Sequence, residues 1–128
     1  GRQTYEAAKA KMSLQPETLR IVMTKNPETY TKEAVPGQLE FTKETPRALA
    51  RRLKNIGYKE LLLVGGGQIN SSFFQAKLVD ELLLTIEPVI FGSGKNLLSE
   101  ITLEVSLKLL RVQKPNSRGT LLFTYRIM

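Results

Sequence analysis

The chain has 128 residues, 41% of them apolar and 24% charged, the proportions of one ordinary globular domain and not of a disordered or collagen-like chain. It contains neither cysteine nor histidine, which excludes disulfides, thiolate chemistry, histidine-based nucleophile pairs and the commonest metal ligands. With 19 basic against 12 acidic residues the formal charge is +7, which favours an anionic partner: nucleic acid, acidic lipid or a phosphorylated small molecule.

No apolar stretch approaches the ~18 residues of a membrane span, and no signal-peptide core is recognisable. Together with the absence of cysteine this points to a cytoplasmic protein with no membrane partner. The opening Gly1-Arg2-Gln3-Thr4 has no initiator methionine and leads almost at once into a helix; we expect that sequence upstream is missing. That helix, over residues ~4–12, carries Tyr5, Ala8 and Met12 at helical spacing.

Leu19 to Thr24 reads as a short buried strand, stopped by Asn26-Pro27. Residues 25–38 are polar, contain Pro27, Pro36 and Gly37, and are expected as a loop. Leu39-Glu40-Phe41 comes next as a minimal strand. The helix after it is punctuated at both ends: Thr45 as N-cap, Pro46 at the first helical position, Leu49, Leu53 and Ile56 as the apolar stripe, and Gly57 as the stop. Its Arg47, Arg51, Arg52 and Lys54 lie off that stripe, on a solvated face.

Leu61-Leu62-Leu63-Val64 is a continuous apolar run, the pattern of a central parallel strand covered on both faces. Gly65-Gly66-Gly67 comes directly after it, then a helix over ~68–77 with Ile69 and Phe73 inward, then Leu82 to Ile86 as a second buried strand. The unit is expected as a right-handed βαβ crossover. Beyond Pro88 and the loop around Gly92-Ser93-Gly94, residues 105–113 and 120–127 read as strands of a terminal antiparallel hairpin turned at Asn116 to Gly119. No repeat or linker divides residues 1–128, so a single mixed α/β domain is expected.

A strand that ends in glycines ahead of a helix is suited to phosphate: the backbone can come close, and the helix start offers unpaired N–H groups. A full Rossmann fingerprint fails, because Asn70 stands where the last glycine belongs and the length provides no second βαβ half. A Walker loop at Gly92-Ser93-Gly94-Lys95 fails because Val89 and Asn96 occupy required positions, leaving a surface turn. The basic helical face leaves a nucleic-acid-binding module as an alternative of another class, though it lacks interleaved aromatics.

Taken in order, Gly1-Arg2-Gln3-Thr4-Tyr5-Glu6, Ile21-Val22-Met23-Thr24-Lys25, Leu63-Val64-Gly65-Gly66-Gly67 and Val79-Asp80-Glu81-Leu82 resemble the dihydrofolate-reductase-like superfamily, and most of all the reductase domain that ends bacterial riboflavin-biosynthesis deaminase-reductases. The resemblance covers essentially the whole chain. It implies a three-layer α/β fold, with a mostly parallel mixed sheet flanked by helices and a C-terminal antiparallel hairpin, truncated here at the N-terminus.

The resemblance further implies an NADPH-dependent reductase acting on a small heterocycle: a ribosylamino-pyrimidine of the riboflavin pathway, or alternatively a pterin as in dihydrofolate reductase. By the same resemblance Gly1, Arg2 and Thr4 hold cofactor phosphates, Thr24 and Lys25 meet the adenosine 2′-phosphate, and Gly65, Gly66, Gly67, Gln68 and Ile69 form the pyrophosphate turn. A cis peptide is expected at Gly65–Gly66. Thr85 matches a threonine facing the substrate. Glu87 is a poor proton donor, no catalytic residue is assigned, and no metal is expected. Hydride transfer suits a chain without His or Cys, because the nicotinamide carries the chemistry. The family's first strand and acidic proton-relay residue have no counterpart in the sequence. A third alternative is a non-catalytic relative in which the terminal hairpin serves as the surface of a homodimer, a state the resemblance also allows for the reductase.

Overall fold

The computed structural model describes residues 1–99 and 101–128. Helix α1 spans Arg2–Ala8 and runs on into a 3-10 turn at Lys9–Lys11. Strands β1 (Arg20–Met23) and β2 (Leu39–Thr42) pair in parallel, Arg20 opposite Leu39 and Met23 opposite Thr42. The connection between them is not loop throughout: Pro27–Tyr30 forms a 3-10 turn that delivers Tyr30 to the core. A lone tyrosine in a polar stretch carries no periodic signal, so the sequence pattern does not reveal this turn.

Because side chains alternate along a strand, the two faces of β1 feed two different cores. Val22 enters a cluster with Tyr5, Tyr30 and Leu39, supported by Met12, Leu14, Val35 and Phe41. Ile21 and Met23 point the other way, toward Leu49, Leu53 and Phe73. The parallel pair is thus the middle layer, with α1 and the 3-10 turn on one side. Helices α2 (Pro46–Asn55) and α3 (Gly67–Gln75) lie on the other. In the first cluster Tyr30 stacks on Phe41 with ring centroids 4.5 Å apart, and Tyr5 meets Phe41 edge-on at 5.1 Å. The Tyr5 hydroxyl donates to Glu33 and the Tyr30 hydroxyl donates to Glu6 at 2.7 Å, crossing between helix and turn.

Helix α2 is punctuated as its residues dictate. The Thr45 hydroxyl accepts from the Ala48 N–H at 3.3 Å, Pro46 opens the first turn, and Gly57 takes φ +105° at the stop. Leu49 and Leu53 are buried, but Ile56 is 60% exposed; it sits at the cap, where the chain already turns out of the helix. The solvated basic face also needs correction. Arg47, Arg51 and Lys54 are exposed, whereas Arg52 folds back onto Glu40 and Glu44 of the preceding strand and its exit.

Residues 61–64 depart furthest from expectation. They join no ladder among the described residues, and Leu62 and Val64 are 74% and 81% exposed. Only Leu63 packs, onto the α2–α3 cluster. An apolar run reports a tendency to be buried; pairing requires a neighbouring strand, and none lies alongside among the described residues. Strand β3 (Glu81–Ile86) accordingly forms no parallel partnership with it. It pairs antiparallel with β5 (Leu121–Ile127), which pairs antiparallel with β4 (Leu107–Gln113), giving the order β3-β5-β4. β3 is also not buried on both faces: Leu83 is 61% exposed.

The terminal hairpin forms as its alternation dictates. Asn116 accepts the Arg118 N–H at 2.9 Å and Gly119 adopts φ +99° in the turn. Buried Thr120 donates to Glu87 at 2.7 Å and accepts from the Asn116 amide at 2.9 Å. Glu87 therefore ties the end of β3 to the hairpin, a structural task in keeping with its poor claim as an acid. Among the described residues no helix is long and apolar enough to cross a membrane.

Candidate functional site

Parallel strands bring their carboxyl ends to the same edge, the place where open α/β sheets bind ligands. Here the Thr24 N–H donates to the Thr42 carbonyl at 2.9 Å, extending the ladder one step beyond β1. Thr24, Lys25 and Asn26 leave one strand, and Thr42, Lys43 and Glu44 the other. All six line one cavity of about 1190 Å³.

The opposite wall is the glycine corner. Gly65 has φ +101°, a conformation side-chain-bearing residues rarely adopt, and the Gly65–Gly66 peptide is cis as expected. Gly66 is the N-cap of α3, and among the described residues no side chain caps that end. The first N–H groups of the helix are therefore available toward the cavity, where a helix start favours negative charge. Gly66 is exposed, with only the Thr4 hydroxyl within 4 Å of where a Cβ would stand, at 3.5 Å. Among the described residues no side chain plugs the corner.

Gly67 is bare for a different reason. A Cβ there would stand 3.2 Å from the Asn96 carbonyl oxygen and 3.2 Å from the Ser99 nitrogen. The main chain of residues 96–99 is pressed against the helix start and latched by three hydrogen bonds. The Ser99 N–H donates to the Gly67 carbonyl (3.3 Å) and to Ser71 Oγ (2.8 Å), and Asn70 Nδ2 donates to the Leu97 carbonyl (2.9 Å). This latch brings Lys95, Asn96, Leu98 and Ser99 into the cavity wall. At the third side α1 begins: Gly1 lies so close to Ile69 that a Cβ would come within 2.8 Å of its side chain. Its amine donates to the Gly65 carbonyl at 2.7 Å.

Nine of the ten expected cofactor residues share this one cavity: Gly1, Arg2, Thr4, Thr24, Lys25, Gly66, Gly67, Gln68 and Ile69. Gly65 is buried and borders an adjoining, more apolar cavity of about 580 Å³ lined by residues 60–65, Tyr5 and Met12. Thr85 lies on β3 opposite Leu122, outside both cavities. Sequence reasoning misses Asn26, Thr42, Lys43 and Glu44, whose signal is the parallel pairing itself: residues that exit neighbouring parallel strands emerge side by side. It also leaves Lys95 in a surface turn, because nothing local reveals that the turn is latched to α3.

Among the described residues the charged side chains of the wall are four cations, Arg2, Lys25, Lys43 and Lys95, against one carboxylate, Glu44. Glu44 is itself engaged. Arg52 Nε donates to both its oxygens at 3.0 and 3.1 Å, Arg52 Nη2 to one of them at 2.8 Å, and the Thr42 hydroxyl to Oε1 at 2.8 Å. The guanidinium, foremost among these, holds the Glu44 carboxyl below the usual carboxylate range.

Fold and site together define a mixed α/β domain of the dihydrofolate-reductase-like kind, with a basic, glycine-floored cavity across the ends of its parallel strands. The chain belongs to the RibD C-terminal domain family, whose sequence pattern matches residues 5–120. It is 33% identical over 111 residues to the uncharacterized protein YwjB of Bacillus subtilis (strain 168), covering 85% of this chain and 62% of that one. It is 29% identical over 83 residues to the uncharacterized protein YyaP of the same strain, covering 65% and 44%. The chain thus spans less than two thirds of the length of these relatives.

Among solved structures, a putative riboflavin biosynthesis protein from Shewanella sp. PV-4 superposes with a TM-score of 0.77 at 21% identity, over 100% of this chain and 71% of that one. The diaminohydroxyphosphoribosylaminopyrimidine deaminase/5-amino-6-(5-phosphoribosylamino)uracil reductase of Thermotoga maritima gives 0.59 at 22% identity, over 87% and 31%. At these identities the likeness speaks for the fold.

Proposed function

We propose that this domain binds NADPH across the ends of β1 and β2 and serves a reductase that acts on a ribosylamino-pyrimidine. The observation that carries the proposal is the cavity at the α3 start. An uncapped helix end and bare Gly66 offer main-chain donors on one wall, while Lys25 and Lys43 stand on another. Both features suit the doubly anionic tail of a phosphorylated dinucleotide. A volume of about 1190 Å³ is ample for a ligand of that size.

In this reading the N–H groups at the start of α3 take the pyrophosphate, assisted by Arg2 and Thr4. Thr24, Lys25 and Lys43 take the 2′-phosphate, which distinguishes NADPH from NADH. Hydride is what NADPH supplies when bound; the chain's part is to hold it and present its nicotinamide end. The pyrimidine substrate class draws support from membership in the RibD C-terminal domain family. Calorimetric titration with NADPH and NADH tests the binding. Tighter binding of NADPH is expected, falling with salt and with Lys25→Ala or Lys43→Ala. Equal affinity for the two nucleotides would refute the assignment of the strand ends.

A further inference from the structure

Among the described residues Glu44 is the one acid in the cavity wall, and it comes directly after Lys43. A free carboxylate there would oppose an incoming phosphate. It would also favour an unphosphorylated ribose, since an acid at a strand end is the usual partner of a ribose 2′-hydroxyl. Its environment prevents both. Arg52, reaching across from the second turn of α2, meets both carboxylate oxygens in a forked contact, and Thr42 adds a fourth hydrogen bond. The same guanidinium also binds Glu40 on β2, which lies outside the cavity lining. Arg52 is therefore more than a strut between helix and strand: its guanidinium offsets the charge of Glu44, the one acid among the described wall residues.

We propose that Arg52 is a positioning residue for cofactor choice: by holding Glu44 in a forked ion pair it keeps the strand-end pocket selective for a 2′-phosphorylated adenosine over its unphosphorylated counterpart. The inference rests on the nucleotide reading of this cavity and adds to it a residue that does not itself line the cavity. Lysine is a poor substitute at such a site, because a point charge cannot satisfy both oxygens in one plane.

The test compares adenosine 2′,5′-bisphosphate with 5′-AMP by calorimetry on the whole chain, as the ratio of the two affinities. The parent is expected to prefer the bisphosphate. In Arg52→Gln the ratio falls by about tenfold, through weaker bisphosphate binding and unchanged or tighter AMP binding. Adding Glu44→Gln to Arg52→Gln restores the parental ratio, since the freed charge is gone. Should Arg52→Gln not fold, Arg52→Lys gives an intermediate ratio with the net charge kept. Equal weakening of both ligands in Arg52→Gln, with the ratio unchanged, would show a merely structural strut and overturn the proposal. So would a double variant whose ratio stays low. A parent that binds neither ligand overturns the nucleotide reading itself, and the two failures are thereby distinguished.

Discussion

Gly67→Ala isolates the contact that closes the cavity. The added methyl carbon would stand 3.2 Å from two backbone atoms of residues 96–99 and 3.4 Å from a third. Backbone cannot rotate away as a side-chain tip can, so the segment must retreat by a few tenths of an ångström. Retreat stretches the Ser99-to-Gly67 bond, already 3.3 Å, and loosens the Ser71 and Asn70 latches. Overpacking of this kind costs about 1–3 kcal/mol, and a weakened hydrogen bond about 1 kcal/mol more. The higher helix propensity of alanine returns up to about 1 kcal/mol. Urea unfolding should therefore show a net loss of about 1–3 kcal/mol. NADPH affinity should drop about tenfold, or 1.4 kcal/mol, as Lys95 and Asn96 leave the wall. Gly92→Ala is the control: nothing lies within 4 Å of its Cβ position. A Gly67→Ala variant as stable as the parent, with unaltered affinity, would refute the argument that the 96–99 latch builds the site.

Leu49→Ala, at the most deeply buried side chain of the α2–α3 cluster (2% exposed), should lower stability by about 2–5 kcal/mol in the same urea assay. Burial, then its hydrogen bond to Glu33, pushes the Tyr5 hydroxyl up to about 12. Its contribution is thus full below pH 10 and lost as pH rises from 10 towards 12. Alkaline unfolding should be less steep in Tyr5→Phe, and phenolate absorbance should lose its latest-titrating component. The Glu44 carboxyl is held below 4.5, first by Arg52, so its stabilisation is present above pH 4.5 and lost as pH falls through the lower folded value. Glu44→Gln should flatten that acid limb of the stability profile, measured by urea midpoints.

The features legible in the sequence are those that local chemistry decides. Thr45, Pro46 and Gly57 punctuate α2 because a cap, a missing N–H and a positive φ are properties of single residues. The Gly65–Gly67 corner, the alternating β5 and the Asn116-to-Gly119 turn belong to the same class. The features that pattern does not show depend on partners distant in the chain. Residues 61–64 have the composition of a central strand, but a strand exists only beside another. Arg52 reads in the sequence as another solvated arginine beside Arg51; Glu40 and Glu44 decide its fate from another element. Lys43 enters the site because β2 runs parallel to β1, and Lys95 because a latch of three hydrogen bonds folds its loop onto α3. Gly67 reads in the sequence as room for a ligand, whereas the atoms that come close are the chain's own.

In the nucleotide reading proposed above, uncapped main-chain N–H groups at the start of α3 grip the phosphates of the dinucleotide. Backbone amide NMR during titration with NADPH observes those groups directly. Saturable shifts of the Gly67, Gln68 and Ile69 amides are expected, moving together with Thr24, Lys25 and Lys43 at a single dissociation constant. Saturation of binding while the three α3 amides stay in place would contradict it.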